Sequence, residues 1–498
     1  MKILPLLLAC LLWLPCSARA AEDARPNIVW ILVDDMSANF SCYGETTIRT
    51  PNVDALAAQG TRFSRAFVTA PICSISRSAL LTGCYQTSIG AQNHRAGSEK
   101  FPIPLPAGMK TVPQLLKEAG YHTGNLSFDT FLRSNDPVVI AKTDYNFVWD
   151  RAANYDRTHW ATRKKSQPFF AQVQLHGGKN RGQKPGPAWP AKALATLGSL
   201  TPTNAVKLPP WLPDDDTIRA DWAHYLDTVR YTDWEVGRIV QRLQDAGELD
   251  RTVIIFYTDH GLSHVRAKQF LYDAGIHVPL VVRGPGIAAG KVRDDLVEHT
   301  DIAAVTLALA GLPRPASMQA RDIFAKDYQP KEFVFAARDR ADETVDRIRS
   351  VRSAQYKYLR NYFPTRPYLQ PNRYKDEKAV VQAMRRLHAE QKLTPAQALI
   401  MAETRPREEF YDVQRDPHEL RNLAADPQHS AALARHRAAL ADWITRTADQ
   451  GRTLETEEIY LNYLADERPE GGRGQRNEVF EKNVELMRRW AKEKPMEK

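Results

Sequence analysis

The chain has 498 residues, 43% hydrophobic and 26% charged, enough to bury a large core and to form more than one structural unit. Its 68 basic and 59 acidic residues leave a net charge of +9, which fits an acidic partner. No nucleic-acid motif accompanies that charge, and Arg385, Arg386, Arg488 and Arg489 sit in helical, Glu- and Lys-bearing stretches that read as solvated faces, so nucleic acid is not an expected partner.

Lys2, the apolar run Ile3 to Leu14 and the small-x-small triplet Ala18-Arg19-Ala20 read as a secretory leader. Cleavage near Ala20 predicts a secreted or periplasmic protein. The run is too short to span a bilayer and no later stretch qualifies, so no stable membrane insertion is expected. Cys42, Cys73 and Cys84 remain after cleavage, and an odd count leaves one thiol unpaired. Cys42 and Cys84 either pair or both stay reduced.

In chain order, Asn27 to Val33 reads as a buried strand ending in Asp34-Asp35. Asn52 to Gln59 reads as a helix closed by Gly60, and Thr61 to Val68 as a strand giving way to a helix near Cys73. Thr111 to Ala119 is a helix with proline in its first turn. The proline- and glycine-rich segment from Gly177 to Pro213 reads as a long loop near the mouth of a site. From Trp222 to Ala246 apolar residues recur at helical spacing. Val253 to Tyr257 is a second buried strand, ending in Thr258-Asp259-His260-Gly261, and Val278 to Val282 a third. Thr300 is placed to cap a helix running to Leu309. Beyond about Ala336, short strands within Arg349 to Leu359 and Glu409 to Val413 alternate with helices at Lys378 to His388 and Ala431 to Thr447. Alternating strands and helices predict an α/β fold, a mostly parallel sheet flanked by helices, with sites beyond the carboxyl ends of its strands. The expected organisation is a leader (1–20), a catalytic domain (21–335) and a smaller C-terminal α+β domain (336–498).

Two constellations carry chemistry. Asp34, Asp35, Asp259 and His260 stand at strand ends, where adjacent buried carboxylates repel unless a cation neutralises them. Cys73-Ser74-Ile75-Ser76-Arg77, followed by Ser78-Ala79-Leu80-Leu81-Thr82-Gly83, stands at a strand-to-helix turn. There the free amides and positive dipole end of the helix favour an anion. Arg77, four residues on, shares the helix face of Cys73.

The second segment resembles the sulfatase signature, Cys-x-Pro-Ser-Arg followed by three residues and Leu-Thr-Gly, with Ile75 in the place of proline. The resemblance extends from Asn27 to Leu423. It implies an alkaline-phosphatase-like fold and oxidation of Cys73 to formylglycine by a formylglycine-generating or radical maturase enzyme. It also implies one divalent metal, Ca2+, held by Asp34, Asp35, Asp259, His260 and the modified Cys73. His260 stands where asparagine is often found, and an imidazole favours transition metals. By the same resemblance Arg77 and Lys142 hold the nucleophile, and Lys268, in Lys-x-x-Leu-Tyr-x-x-Gly, stabilises sulfate. Lys142-Thr143-Asp144 resembles the family's Lys-x-His with Asp144 in place of histidine. The register after Phe170 puts Lys179 where the family has a histidine, with His176 three residues earlier, and one of the two is expected to reach the sulfate.

Arg338 to Asn361 and Lys142 to Phe147 resemble bacterial relatives of heparan N-sulfatase. The expected substrate is therefore a sulfated saccharide, O- or N-linked, with Arg338, Arg340 or Arg360 meeting neighbouring carboxylates. Two rival expectations are a phosphonate or phosphate diester hydrolase of the same superfamily and a non-catalytic sulfoglycan-binding protein.

Overall fold

Every residue of β1 (Asn27–Val33) is buried. A strand apolar on both faces needs a neighbour at each edge and helices above and below. In the computed structural model, which describes residues 25–97, 99–133, 137–182, 189–466 and 478–496, β1 has both, and the expected leader lies outside these residues. It joins β2 (Gly60–Phe67), β3 (His122–Ser127), β4 (Phe169–Leu175), β5 (Thr252–Thr258), β6 (His277–Arg283), β7 (Lys291–Arg293) and β8 (Val297–Glu298). The eight-stranded sheet has the order β3-β4-β1-β5-β6-β2-β7, with β8 also on β2.

Strands β3, β4, β1 and β5 are parallel, so the carboxyl ends of β4, β1 and β5 lie side by side. β6 runs antiparallel to β5 and to β2. Between β5 and β6 the only α-helix is the four-residue Asp273–Ile276, too short for the crossover that a parallel pair requires. The sheet is covered by helices. Trp30 Nε1 donates to Thr306 Oγ1 (2.9 Å) on the helix Asp301–Leu309, and the 30-residue helix Asp216–Asp245 buries Leu226, Val229, Val236 and Ile239.

Two local expectations change. Thr300 stands at the N-cap with helical dihedrals and its side chain caps nothing. The Asp301 carboxylate instead accepts the amides of Glu298 (3.0 Å) and Arg321 (2.8 Å). The stretch expected as one loop holds a 3-10 turn (Gly177–Gly182) and the helix Trp189–Leu197, because Trp189 and Ala193 bury against Tyr231.

A second, antiparallel sheet has the order β12-β11-β10-β9, formed by β9 (Val334–Arg338), β10 (Ile348–Arg352), β11 (Tyr356–Asn361) and β12 (Glu408–Asp412). Trp443 and Leu440 of the helix Ser430–Arg446 pack on it. It is tied to the first sheet by Ala337 N–H donating to Thr69 O (2.9 Å) and by Lys357, whose ammonium meets Asp273 and Glu419, each at 2.9 Å. The arginines expected to face an acidic substrate serve internal pairs instead. Arg338 binds Asp346, Arg340 binds Glu455, and Arg360 lies 3.6 Å from Glu408. Among the described residues no helix is long and apolar enough to cross a membrane.

Candidate functional site

Three neighbouring strand ends and one helix start build the site. Asp34 and Asp35 follow β1, Asp259 and His260 follow β5, and the turn carrying Lys179 follows β4. The tips are laced by backbone hydrogen bonds, Asp34 N–H to Leu175 O (3.1 Å), Asp259 N–H to Val33 O (2.9 Å) and Met36 N–H to His260 O (3.2 Å). Asp35 takes a left-handed φ of 54°, which turns its carboxylate under the helix start. Cys73 is the first residue of the helix Cys73–Thr82 and is 4% exposed. Ile72 before it offers no capping side chain.

Around Cys73 Sγ lie His260 Nε2 (3.1 Å), Lys179 Nζ (3.4 Å), Lys268 Nζ (3.5 Å) and Asp35 Oδ1 (3.7 Å). Lys268 Nζ also donates to both oxygens of Asp35, at 3.0 and 3.1 Å. Asp34 is gripped by Arg77, by Lys142 (3.0 Å) and by Lys179 (2.6 Å). Arg77 reaches Asp259 Oδ2 as well (3.3 Å) and donates to Gln174 Oε1 (2.6 Å). Burial opposes ionisation of Asp34, yet Arg77, Lys142 and Lys179 outweigh it and hold the carboxyl well below its usual range. Burial likewise opposes a thiolate at Cys73, and the three lysines with His260 outweigh it, so the thiol sits well below its ordinary value.

The donors suit a cation. His260 donates Nδ1–H to Gly261 O (2.8 Å), which leaves Nε2, whether it carries a proton or binds a metal, facing Asp35 Oδ1 at 3.2 Å. Two electron-rich atoms at that separation require a proton or a metal between them. Burial lifts the Asp259 carboxyl to about 7, and His260 rises to about 10 because Asp259 and Cys73 outweigh its own burial, so protons hold charge that a dication would replace. Asp35, Cys73 and His260 place one donor atom each within 4.8 Å of one another. Of the other two ligands expected from sequence, Asp259 Oδ1 lies 3.5 Å from His260 Nε2 and accepts the Asp35 amide (3.1 Å), and the Arg77 guanidinium bridges Asp259 to Asp34.

Lys179, not His176, touches Cys73 and Asp34; His176 is exposed at the end of β4. Asp144 is ion-paired with Arg95 (3.1 Å) and lies 3.7 Å from Lys142. His94 and His299, which have no metal-ligand spacing in the sequence, each buttress a serine of the motif. His94 Nδ1 lies 2.7 Å from Ser74 Oγ, and His299 Nε2 donates to Ser76 O (2.9 Å) while its Nδ1 accepts from Thr69 N–H (3.3 Å). Gln174 and Tyr374, whose hydroxyl donates to Asp35 Oδ2 (3.0 Å), carried no sequence signal.

Comparison with known proteins matches residues 26–312 to the family described as Sulfatase, and residues 259–398 to N-sulphoglucosamine sulphohydrolase, C-terminal. An ulvan-active sulfatase of Formosa agariphila is 31% identical, over 87% of this chain and 77% of its own. Human N-sulphoglucosamine sulphohydrolase is 27% identical, over 86% of this chain and 91% of its own. The solved structure of a 2-O GAG sulfatase superposes with a TM-score of 0.60 at 20% identity, covering 91% of this chain and 98% of that one.

Proposed function

Because the chain belongs to the sulfatase family and is a sulfuric ester hydrolase, we propose that it is an exported enzyme that removes a sulfate group, O- or N-linked, from an acidic saccharide. The observation that carries this reading is the convergence of Lys142, Lys179, Lys268 and Arg77 on the acidic cluster around Cys73. Such a set suits a tetrahedral sulfate ester or N-sulfate monoanion, and the further charge its oxygens and leaving group gain in the transition state, held against a nucleophile. The relatives named above for N-sulfoglucosamine and ulvan support a sulfated sugar as substrate.

On this reading Cys73 is oxidised to formylglycine by a maturation enzyme; one hydroxyl of its aldehyde hydrate attacks sulfur and displaces the sugar oxygen or nitrogen, the second hydroxyl then expels sulfate to leave the aldehyde, and water restores the hydrate. Asp35 and His260, with Asp34 and Asp259 beside them, would hold a divalent cation whose charge favours the ionised nucleophile. Their carboxylates suit calcium, and the imidazole also admits a transition metal. Lys268 and Lys179 bind the sulfate oxygens and offset charge that develops there. Lys142 and Arg77 keep Asp34 ionised and fixed. Lys179, already 3.4 Å from Sγ, is the group placed to hand a proton to the leaving oxygen or nitrogen. The deeply buried position of Cys73 keeps bulk water from the nucleophile.

Mass spectrometry of the Cys73 peptide from protein made in its native host should show the aldehyde. Turnover of an aryl sulfate should exceed that of an aryl phosphonate, and chelation should abolish it, as should Cys73→Ala. An unmodified thiol in active protein, or full turnover by Cys73→Ala, would overturn the reading.

A further inference from the structure

The lysines around Cys73 all have acidic partners, but one further lysine behind Tyr374 does not. Lys378 is half-buried, and its Nζ lies 4.4 Å from the centre of the Tyr374 ring. Lys268 Nζ lies 4.7 Å from the same ring, whose hydroxyl donates to Asp35 Oδ2. One aromatic ring therefore connects Lys378 to the catalytic cluster. Among the described residues no carboxylate is within ion-pair distance of Lys378, whereas its basic neighbours are engaged. Arg181 pairs with Asp221 (2.9 Å) and donates to Ser263 (3.0 Å), and Lys375 donates to His264 O (2.6 Å).

Its setting is electrostatically unfavourable. Lys378 is the N-cap of the helix Ala379–Ala389, where the helix dipole adds charge of the same sign. Burial and the nearby Arg181 guanidinium bring its ammonium down to about 8, against the weaker pull of the Asp35 and Asp221 carboxylates. A half-buried cation with no carboxylate in contact is stabilised when an anion arrives. Lys378 would thereby take the part expected of Arg338, Arg340 and Arg360, which internal pairs consume.

We propose that Lys378, backed by the Tyr374 ring, is a second anion subsite. It takes a carboxylate or a second sulfate carried by the sugar whose scissile sulfate faces Cys73. This deepens the sulfatase reading and rests on it. Lys378 specifies the substrate and takes no part in breaking its bond.

Calorimetric titration of full-length protein carrying Cys73→Ser, so that nothing is turned over, tests the subsite. The probes are glucosamine N-sulfate, glucosamine N,6-O-disulfate and an N-sulfated disaccharide bearing a uronate carboxylate. At least one of the two doubly anionic probes should bind about tenfold more tightly than the monosulfate, as one charge-assisted contact provides. Adding Lys378→Gln should erase that preference and leave the monosulfate affinity unchanged; Lys378→Arg should keep it. Which of the two probes is favoured tells second sulfate from carboxylate. No preference for either, or a preference that survives Lys378→Gln, overturns the subsite. Aryl sulfate turnover by the unsubstituted protein judges the sulfatase reading separately.

Discussion

Glu235 is buried on the helix Asp216–Asp245, and its Oε2 has no hydrogen-bond partner among the described residues. Burial raises its carboxyl from 4.5 to about 8, with Lys192 opposing. A carboxyl whose folded value lies above its unfolded one binds more protons in the native state, so the penalty for deprotonation grows as pH rises from about 4.5 to about 8. Below that window the group costs little. Glu235→Gln keeps the shape without the charge. Denaturant melts should show the variant gaining on the parent protein as pH is raised from 5 to 8, reaching roughly 1–3 kcal/mol, the usual cost of an unmet buried polar group. An equal difference at both pH values would mean that the charge is not responsible. The same burial that makes Glu235 a liability is tolerated at Asp34 and Asp35, where lysines and Arg77 surround the carboxylates.

At the scale of elements, the site depends on how closely the tips of β1 and β4 approach. Gly177, with φ of 50°, has no room for a side chain, since a Cβ there would stand 2.3 Å from Asp34 O and 2.4 Å from Val33 Cγ1. Gly177→Ala should push the turn away from β1 and take Lys179 with it. The expected result is a stability loss of about 1–3 kcal/mol from overpacking, with kcat/KM falling more than tenfold while the fold survives. Retained activity would mean that Lys179 does not need this turn. Two of the three strands that frame the site, β1 and β5, were legible because they carry uninterrupted apolar runs followed by Asp34-Asp35 and Asp259-His260; β4 was not expected. β3 was not, because His122-Thr123-Gly124-Asn125 has neither alternation nor an apolar run, and its residues are buried only through pairing with β4. The choice between His176 and Lys179 was hidden for a similar reason. A three-residue offset in a 3-10 turn decides which side chain faces Cys73, and periodicity does not report that.

For the whole molecule, the net charge of +9 and a pocket lined by cations favour encounter with acidic chains. The apparent KM for a sulfated, carboxylate-bearing oligosaccharide should rise severalfold between about 50 and 200 mM salt as screening takes hold, while that for a singly charged aryl sulfate changes less. Parallel salt series measure both, and identical slopes would remove the role given to long-range charge. The second lobe was recognised from sequence only as a smaller α+β unit. Its direct part in the site, Tyr374 on Asp35, joins residues 339 apart along the chain, and such a contact leaves no local pattern to read. Its arginines looked like substrate ligands because their acidic partners, among them Asp346 and Glu455, are also distant or unremarkable in sequence.

The burial of Cys73 sets a timetable for biosynthesis. All ten residues of its helix are inside the protein, so, on the proposed conversion to formylglycine, a maturation enzyme would find no peptide around the thiol to hold once the sheet has closed. Under that proposal, conversion and folding would compete during synthesis and export. A chain that folds first would be well packed, thermally ordinary and permanently inert. The active fraction of a preparation would therefore record the outcome of that race, and neither annealing nor added metal would alter it.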